Sequence, residues 1–302
     1  MYLISPRLIL VFSIHNLSSP SQVETTTSMS SAQNIYDNPT FFSAYGTLPR
    51  SQLGLAGAPE WPDVRSMVLR NSLTQSLQGQ RVLDLGCGYG WFARWARDSG
   101  AAYVKGVDIS AKMISRAREA GMNLSPTREI QYEVADIESI RFGNSSSSGQ
   151  KEKEAYDLVY SSLTLHYIED LSRLYREIHA ALRTGGKFVF SVEHPICSAP
   201  VNPGPDWTSI QEEGEGGGQE HKIWPLNRYS DEGWRVTSWL GVDGVRKYHR
   251  TVETYVQLLL QNGFALTGFR DWVPSLEDVA QHPEWKDERH RPYFLLISAE
   301  RK

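Results

Sequence analysis

At 302 residues, the chain is long enough for one large α/β domain or for one domain with an insertion, and its hydrophobic content of 40% is ordinary for a globular protein. The formal net charge of −4 gives no electrostatic reason to expect a nucleic-acid partner, and no apolar stretch is long enough to span a bilayer. The two cysteines, Cys87 and Cys197, cannot form a disulfide framework, so we expect a reducing compartment and a cytoplasmic location.

The N-terminal part of the chain divides into an extension and a cap. Residues 8–14 form a short apolar run without a convincing cleavage site, and a Ser/Thr-rich stretch follows. We expect residues 1–33 to be disordered, or to arise from an upstream start and to be dispensable. A domain over 34–302 then begins with a cap over 34–79, which holds a short aromatic segment and an amphipathic helix at 60–77.

A glycine-rich turn between an apolar run and a helical pattern dominates the centre of the chain. In the stretch RVLDLGCGYGW (81–91), a buried strand is followed by Gly86, Gly88 and Gly90, and a helix is predicted at 91–99. Such a turn lets the backbone approach a ligand, and the helix N-terminus offers N–H groups to an anion. A dinucleotide fingerprint needs a third glycine three places after the second, whereas Gly90 follows Gly88 by two places.

Strands and helices alternate after this turn. A strand at 103–108 ends in Asp108, where a two-strand nucleotide fold places the carboxylate that accepts hydrogen bonds from ribose hydroxyls. Ser110 predicts the N-cap of a helix at 111–120. Further strands are predicted at 130–136, 156–160 and 187–192, with a low-complexity surface loop at 142–155. One helix is predicted to follow residue 170 and another to end at residue 263, before two closing strands at 264–273 and 293–300. This alternation predicts a parallel, doubly wound sheet.

The sequence changes character after the fifth predicted strand. Residues 196–248 are rich in proline, glycine and tryptophan, and they follow the carboxyl end of a strand, the side on which open α/β sheets bind ligands. We therefore predict a core over 80–195, a substrate-side insertion over 196–248 and a final helix and hairpin over 249–302.

Five segments in this order resemble the class I S-adenosylmethionine (SAM) dependent methyltransferases, in particular the UbiE/COQ5-like, methyltransferase type 11 group. The segments are Val82–Gly90, Gly106–Ser110 with Met113, Val134–Asp136, Tyr156–Tyr160 and Leu182–Lys187. The resemblance implies a Rossmann-like, doubly wound, mostly parallel seven-stranded sheet with a closing antiparallel hairpin and a lid-like insertion after strand 5. It also implies SAM as the cofactor.

The resemblance further implies which residues contact SAM. They are Asp84, Gly86, Cys87, Gly88, Gly90, Trp91, Asp108, Ile109, Met113, Asp136, Ile137, Tyr160 and Ser161. Within this set, Asp84 is expected on the ammonium side of the methionine, Asp108 on the ribose and Asp136 on the adenine amino group. These assignments have structural alternatives. A carboxylate at a strand end can also cap the next helix, and Met113 suits a helix core equally well.

Methyl transfer is an in-line displacement at a sulfonium carbon, so the enzyme mainly aligns the nucleophile with the methyl group. A protonated nucleophile also needs a base. The candidates are His166, which follows strand 4, and Glu193 and His194, which follow strand 5. Glu193 and His194 are alternatively a hydrogen-bonded structural pair.

The expected acceptor site combines the aromatic segment at 34–53, called the N-terminal segment below, with the insertion. Candidate substrate-binding residues are Tyr36, Tyr45, Arg50, His166 and Trp224. The sequence predicts methyl transfer to O, N or S of a small organic acceptor, with no metal, nucleic acid or membrane involved. A SAM-binding regulatory or scaffold protein and a protein methyltransferase are the alternatives, and the acceptor and the oligomeric state stay open.

Overall fold

The computed structural model describes residues 32–70, 72, 75–122, 129–142, 153–212 and 219–302. The expected extension over 1–33 lies outside this part except for its last two residues, and most of the expected loop at 142–155 lies outside it as well. No helix in the described part is both long and apolar enough to cross a membrane.

A seven-stranded sheet forms the centre of the fold. In order across the sheet, its strands are β3 (Gln131–Val134), β2 (Tyr103–Asp108), β1 (Arg81–Leu85), β4 (Tyr156–Ser162), β5 (Leu182–Glu193), β11 (Phe294–Arg301) and β10 (Phe264–Trp272). The first five are parallel, and β11 runs antiparallel to both of its neighbours. The predicted doubly wound sheet with a closing antiparallel hairpin is confirmed.

Helices cover both faces of this sheet. They are α1 (Pro39–Tyr45), α2 (Pro49–Leu53), α3 (Trp61–Leu69), α4 (Trp91–Asp98), α5 (Ala111–Gly121), α6 (Leu171–Ala181), α7 (Pro195–Ser198), α8 (Val252–Gln261) and α9 (Leu276–Gln281). Alternation along β1 explains the two layers, because Leu83 and Leu85 pack with α6 and α8, whereas Val82 packs with α3, α4 and α5.

Two element boundaries differ from the prediction by five residues or more. β5 begins at Leu182 rather than at residue 187, so the strand follows α6 directly and includes Gly185 and Gly186, which were expected to end the helix. α3 ends at Leu69 rather than at residue 77. Neither difference moves the carboxyl ends of the parallel strands, where Leu85 of β1 pairs with Val107 of β2 and with Ser161 of β4.

The insertion after β5 forms two hairpins, β6 (Thr208–Glu212) with β7 (Gln219–Ile223), and β8 (Gly233–Trp239) with β9 (Val242–His249). The second hairpin packs against the N-terminal segment. The side chain of Gln33 donates to Gly244 O and accepts from Arg246 N, at 2.8 and 2.9 Å, and the ring of Phe41 contacts that of Trp239 edge-on. Gln33, expected in the extension, is thus tied to β9.

Candidate active site

A large cleft opens at the carboxyl ends of the parallel strands. Its volume is about 1230 Å³, which exceeds the usual range of about 300–1,000 Å³ for one small-molecule site. The glycine turn and the ends of β2, β4 and β5 line one part of it. The N-terminal segment, the insertion and residues between 272 and 294 line the rest. The cleft therefore has room for two ligands side by side.

The glycine turn forms the floor of the first part. Gly86, Gly88 and Gly90 have φ values of +71°, +51° and +71°, in the left-handed region that favours glycine. A Cβ atom on Gly86 would overlap Thr164 and one on Gly90 would overlap Tyr132, whereas a Cβ on Gly88 would meet no atom within 4 Å. Gly88 lines the cleft, so its missing side chain leaves a cradle that a ligand can fill.

Asp84 lies beneath this turn. Its side chain is 2% exposed, and its Oδ2 atom has no hydrogen-bond partner among the described residues. Burial and the nearby Asp108 raise the pKa of Asp84 well above its usual range. An orphaned carboxyl oxygen under a glycine cradle fits a ligand that brings an ammonium group.

Asp108 ends β2 beside the cradle. Its two oxygens accept hydrogen bonds from Gly88 N and Ser110 N, both at 2.9 Å. Burial raises the pKa of Asp108 to about 6, although these hydrogen bonds oppose the shift. Ser110 caps α5 by accepting from Met113 N at 3.1 Å, so the capping role is filled. Each Asp108 oxygen retains a lone pair for a ligand diol.

Four further predicted residues line the same part of the cleft: Ile109, Met113, Asp136 and Ile137. Met113 is 1% exposed and belongs both to the wall and to the helix core. Asp136 accepts from Glu138 N at 2.8 Å through Oδ1. Together they form a mostly apolar slot with one carboxylate, which suits a purine that carries an amino group.

Six of the predicted cofactor residues support the cleft without lining it. Ser161 is fully buried and donates to Leu85 O at 2.8 Å, and the ring of Tyr160 stacks on Phe92 at 3.6 Å. This differs from the expectation that these two residues line the cofactor. β4 continues to Ser162, and residues 162–164 line the cleft instead. Asp84, Cys87, Gly90 and Trp91 likewise lie beneath or beside the turn.

Of the three predicted catalytic side chains, the structure brings His166 and Glu193 together. His166 is 5% exposed in a helical turn after β4 and lines the cleft. Its Nδ1 accepts from the backbone N–H of Glu193 at 3.3 Å. The Glu193 carboxylate forms an ion pair with Lys247 of β9 at 2.8 Å. Burial opposes the charge on Lys247, but Glu193 outweighs it and raises the pKa of Lys247.

His194 lies away from the cleft lining. Successive residues of an extended strand point to opposite faces, so His194 faces away from Glu193. Its Nδ1 accepts from Ile196 N at 3.2 Å, which caps α7, and its Nε2 lies 3.1 Å from Asp271 Oδ1. These contacts give His194 a structural place between α7 and β10.

All predicted substrate-binding residues line the cleft. The ring of Tyr36 contacts Tyr45 edge-on at 5.3 Å, and Arg50 pairs with the buried Glu60 at 2.7 Å. Trp224 donates to Ile196 O at 3.0 Å. The N-terminal segment and the insertion thus line the same part of the cleft.

Sequence reasoning missed several residues of this part, among them Lys247, Tyr167, Trp239 and Arg291, whose guanidinium lies 3.8 Å from the Trp224 ring. They come from separate elements, and no local motif marks them. Alternation of polar and apolar residues within the insertion can predict a strand. It cannot predict which residues from other segments will pack beside that strand, because only the tertiary fold fixes them.

Comparisons with known proteins agree with this geometry. Residues 83–190 match a family model described as a methyltransferase domain. The crystal structure of a SAM-dependent methyltransferase from Mesorhizobium loti is 42% identical, with a TM-score of 0.67, and the match covers 82% of this chain and 100% of that one. An uncharacterized protein from Haemophilus influenzae is 30% identical over 276 residues, which are 90% of this chain and 98% of that protein.

A more local relative is phosphoethanolamine N-methyltransferase 1 from Arabidopsis thaliana. It is 32% identical over 130 residues, so the match covers 43% of this chain and 24% of that protein. The two relatives that match most of the chain, the family model and the cradle at the strand ends all lead to one conclusion. The chain belongs to the SAM-dependent methyltransferases of class I, and its cofactor is SAM.

Proposed function

We propose that the protein transfers a methyl group from SAM to O, N or S of a small organic acceptor. One observation carries this proposal: a single cleft runs from the cradle at Gly88 and Asp108 to the side chains of His166 and Glu193. A methyl donor held at one end can therefore face an acceptor held at the other. The order of the sequence motifs supports membership of the UbiE/COQ5-like group.

The chain's own residues would divide the work as follows. Asp108 accepts from the ribose hydroxyls, and the turn at Gly88 lies against the methionine part. Asp84 anchors the turn from beneath, on the side of the ammonium group, and Asp136 faces the adenine amino group. Bound SAM supplies an electrophilic methyl group. The protein excludes water and orients the acceptor, which is where most of the acceleration of an in-line displacement arises.

Two alternatives use the same fold. In a regulatory SAM-binding protein the chemistry would be lost, and in a protein methyltransferase the cleft would admit a peptide chain. The enclosed position of His166 and Glu193 favours catalysis, and the hairpin β8–β9 over the cleft favours a small acceptor. We propose that 34–79 and 196–248 cover a core over 80–195 and that 249–302 complete the sheet.

The test is calorimetric binding of SAM and S-adenosylhomocysteine (SAH) to wild type and to Asp108→Ala, followed by transfer of labelled methyl groups into a cell extract. We expect micromolar binding, a loss of tenfold or more in Asp108→Ala, which equals about 1.4 kcal/mol, and label in the small-molecule fraction. Absence of SAM binding by the wild type would refute the proposal. Label in the protein fraction would favour a protein methyltransferase, and binding without transfer would favour the regulatory alternative.

A further inference from the structure

The hydrogen bond to His166 restricts what this side chain can do. Nδ1 accepts from the backbone N–H of Glu193 at 3.3 Å, so Nδ1 carries no proton. A neutral imidazole then has its proton on Nε2. In this tautomer the ring has no remaining acceptor nitrogen. His166 therefore presents an N–H donor and cannot take a proton from an acceptor.

The charges around His166 keep the ring neutral. Two positively charged side chains, Lys247 and Arg250, lie near the ring. Arg250 is only 3% exposed, and it donates to the backbone carbonyls of Ile168 and Glu169 at 2.7 and 2.6 Å. Burial, with Lys247 and Arg250, holds the pKa of His166 well below its usual range. The Glu193 carboxylate faces Lys247, and Tyr167 packs on the imidazole at 4.4 Å.

The Lys247 ammonium can hold a second anion. Its ion pair with Glu193 at 2.8 Å uses one of three N–H donors, and its side chain is 16% exposed in the cleft lining. The pair itself is nearly neutral, and Arg250 adds a positive charge near His166 that the Glu232 carboxylate partly offsets. Such a pocket favours a negatively charged group on the ligand.

The walls beside these donors are aromatic. Tyr36, Tyr45, Tyr167 and Trp239 line the cleft and contact one another edge-on, with ring centroids 5.3 Å apart for Tyr36 and Tyr45 and 6.4 Å apart for Tyr45 and Trp239. These rings give the cleft an aromatic surface, and another flat ring could pack on it in an edge-to-face or offset-stacked geometry. The body of the acceptor is therefore expected to be flat and apolar.

From these contacts we infer that the acceptor is a small aromatic carboxylic acid, held as its carboxylate by the Nε2–H of His166 and the ammonium of Lys247. This inference rests on the proposed methyl transfer and names its substrate class. A carboxylate oxygen attacks the methyl carbon, the S–CH₃ bond breaks, and its electron pair stays on sulfur. The sulfonium becomes the neutral thioether of SAH and the carboxylate becomes a neutral methyl ester. No proton moves, so no general base is needed.

The tautomer is tested first. Long-range ¹H–¹⁵N spectra of ¹⁵N-histidine-labelled protein, assigned with His166→Gln, are expected to show His166 protonated on Nε2 alone between pH 6 and 8. A proton on Nδ1, or an imidazolium in this range, would overturn the inference.

The acceptor class is tested by calorimetry on the SAH-loaded protein, with 2-naphthoate and its isostere 2-naphthamide as probes. We expect the carboxylate to bind at least tenfold more tightly than the amide. The double variant Lys247→Met/Glu193→Gln, which removes both charges of the pair, is expected to abolish this preference.

A matched pair at His166 separates donation from mere packing. Gln places an N–H donor near the position of Nε2, whereas Asn keeps an acceptor near Nδ1 and loses the donor. We expect His166→Gln to retain most 2-naphthoate affinity and His166→Asn to lose tenfold or more, with equal thermal unfolding temperatures.

The outcomes distinguish this inference from the proposed function. Equal or tighter binding of the amide, equal behaviour of the two His166 variants, or no binding of either probe to SAH-loaded protein would overturn the acceptor class and leave methyl transfer intact. Failure to bind SAH would instead refute the proposed function.

Discussion

The parts of the cleft proposed for the cofactor and for the acceptor are built in different ways. The cofactor part consists mainly of backbone groups of the glycine turn and one carboxylate at a strand end. Gly88 and Asp108 lie only 20 residues apart in sequence and are joined by a 2.9 Å hydrogen bond. In the acceptor part, side chains from β5, β9 and the N-terminal segment meet, and the ion pair between Glu193 and Lys247 spans 54 residues. A local motif can therefore specify the first part, whereas the second depends on packing.

The largest effect is expected from a side chain placed in the cofactor cradle. Gly88→Val and Gly79→Val form a matched pair, because both glycines have positive φ and neither Cβ would meet an atom within 4 Å, but only Gly88 lines the cleft. Each should lose about 1–2 kcal/mol of stability from its backbone conformation. Only Gly88→Val should also lose SAM affinity, by about 100-fold or more, because the valine occupies ligand space. Calorimetry and urea unfolding measure the two effects, and equal SAM affinity in both variants would contradict the cradle.

A smaller effect is expected from the protonation of Asp108. With a pKa of about 6 in the free protein, this carboxyl is mostly neutral at pH 5 and mostly ionised at pH 7. If SAM binds the ionised form, its affinity should rise by about tenfold over this range, because the competent fraction rises by that factor. Asp108→Asn should bind SAM at least tenfold more weakly at pH 7 and show a flat profile. Asp136→Asn is the control and should retain the pH dependence, whereas a flat profile in the wild type would refute the assignment.

On the acceptor side, the ion pair between Glu193 and Lys247 should contribute to stability. The two side chains are 19% and 16% exposed, so solvent screens the pair only in part. A double-mutant cycle with Glu193→Gln and Lys247→Met should give a coupling energy of about 1 kcal/mol in urea unfolding. A coupling near zero would mean that the hairpin β8–β9 is held by its apolar contacts alone.

The smallest effect concerns the attachment of the N-terminal segment. Asp37 Oδ1 accepts from Ser110 Oγ at 2.5 Å and from Lys112 N at 3.3 Å. Burial opposes ionisation, but these hydrogen bonds outweigh it and lower the pKa of Asp37. The ionised form is therefore favoured in the folded state, and the stabilisation is present above the unfolded pKa of about 3.9 and lost as the pH falls through the folded pKa.

Accordingly, Asp37→Asn should destabilise the protein by about 1 kcal/mol at pH 7. The difference from wild type should begin to shrink as the pH falls below the unfolded pKa of about 3.9 and should vanish only below the lowered folded pKa of Asp37. Urea unfolding at pH 7 and at about pH 3 measures this decrease. A difference that does not depend on pH would indicate that packing, and not charge, anchors this segment.

The sequence by itself determined the sheet, the glycine turn and the carboxylates at the strand ends. Buried strands, turn glycines and the Ser110 cap depend on nearby residues, so their pattern is visible along the chain. The same reasoning placed Tyr160 and Ser161 in the cleft, because it could not tell that β4 runs on to Ser162.

Only the tertiary structure decided which side chains line the part of the cleft proposed for the acceptor. His166 and His194 each follow a parallel strand in sequence, yet His166 lines the cleft from the helical turn after β4. His194 instead caps α7 and contacts Asp271 of β10. The same holds for Lys247, which reaches Glu193 only because the hairpin β8–β9 packs over the end of β5. Contacts between distant segments depend on how the layers pack, and no local pattern carries that information.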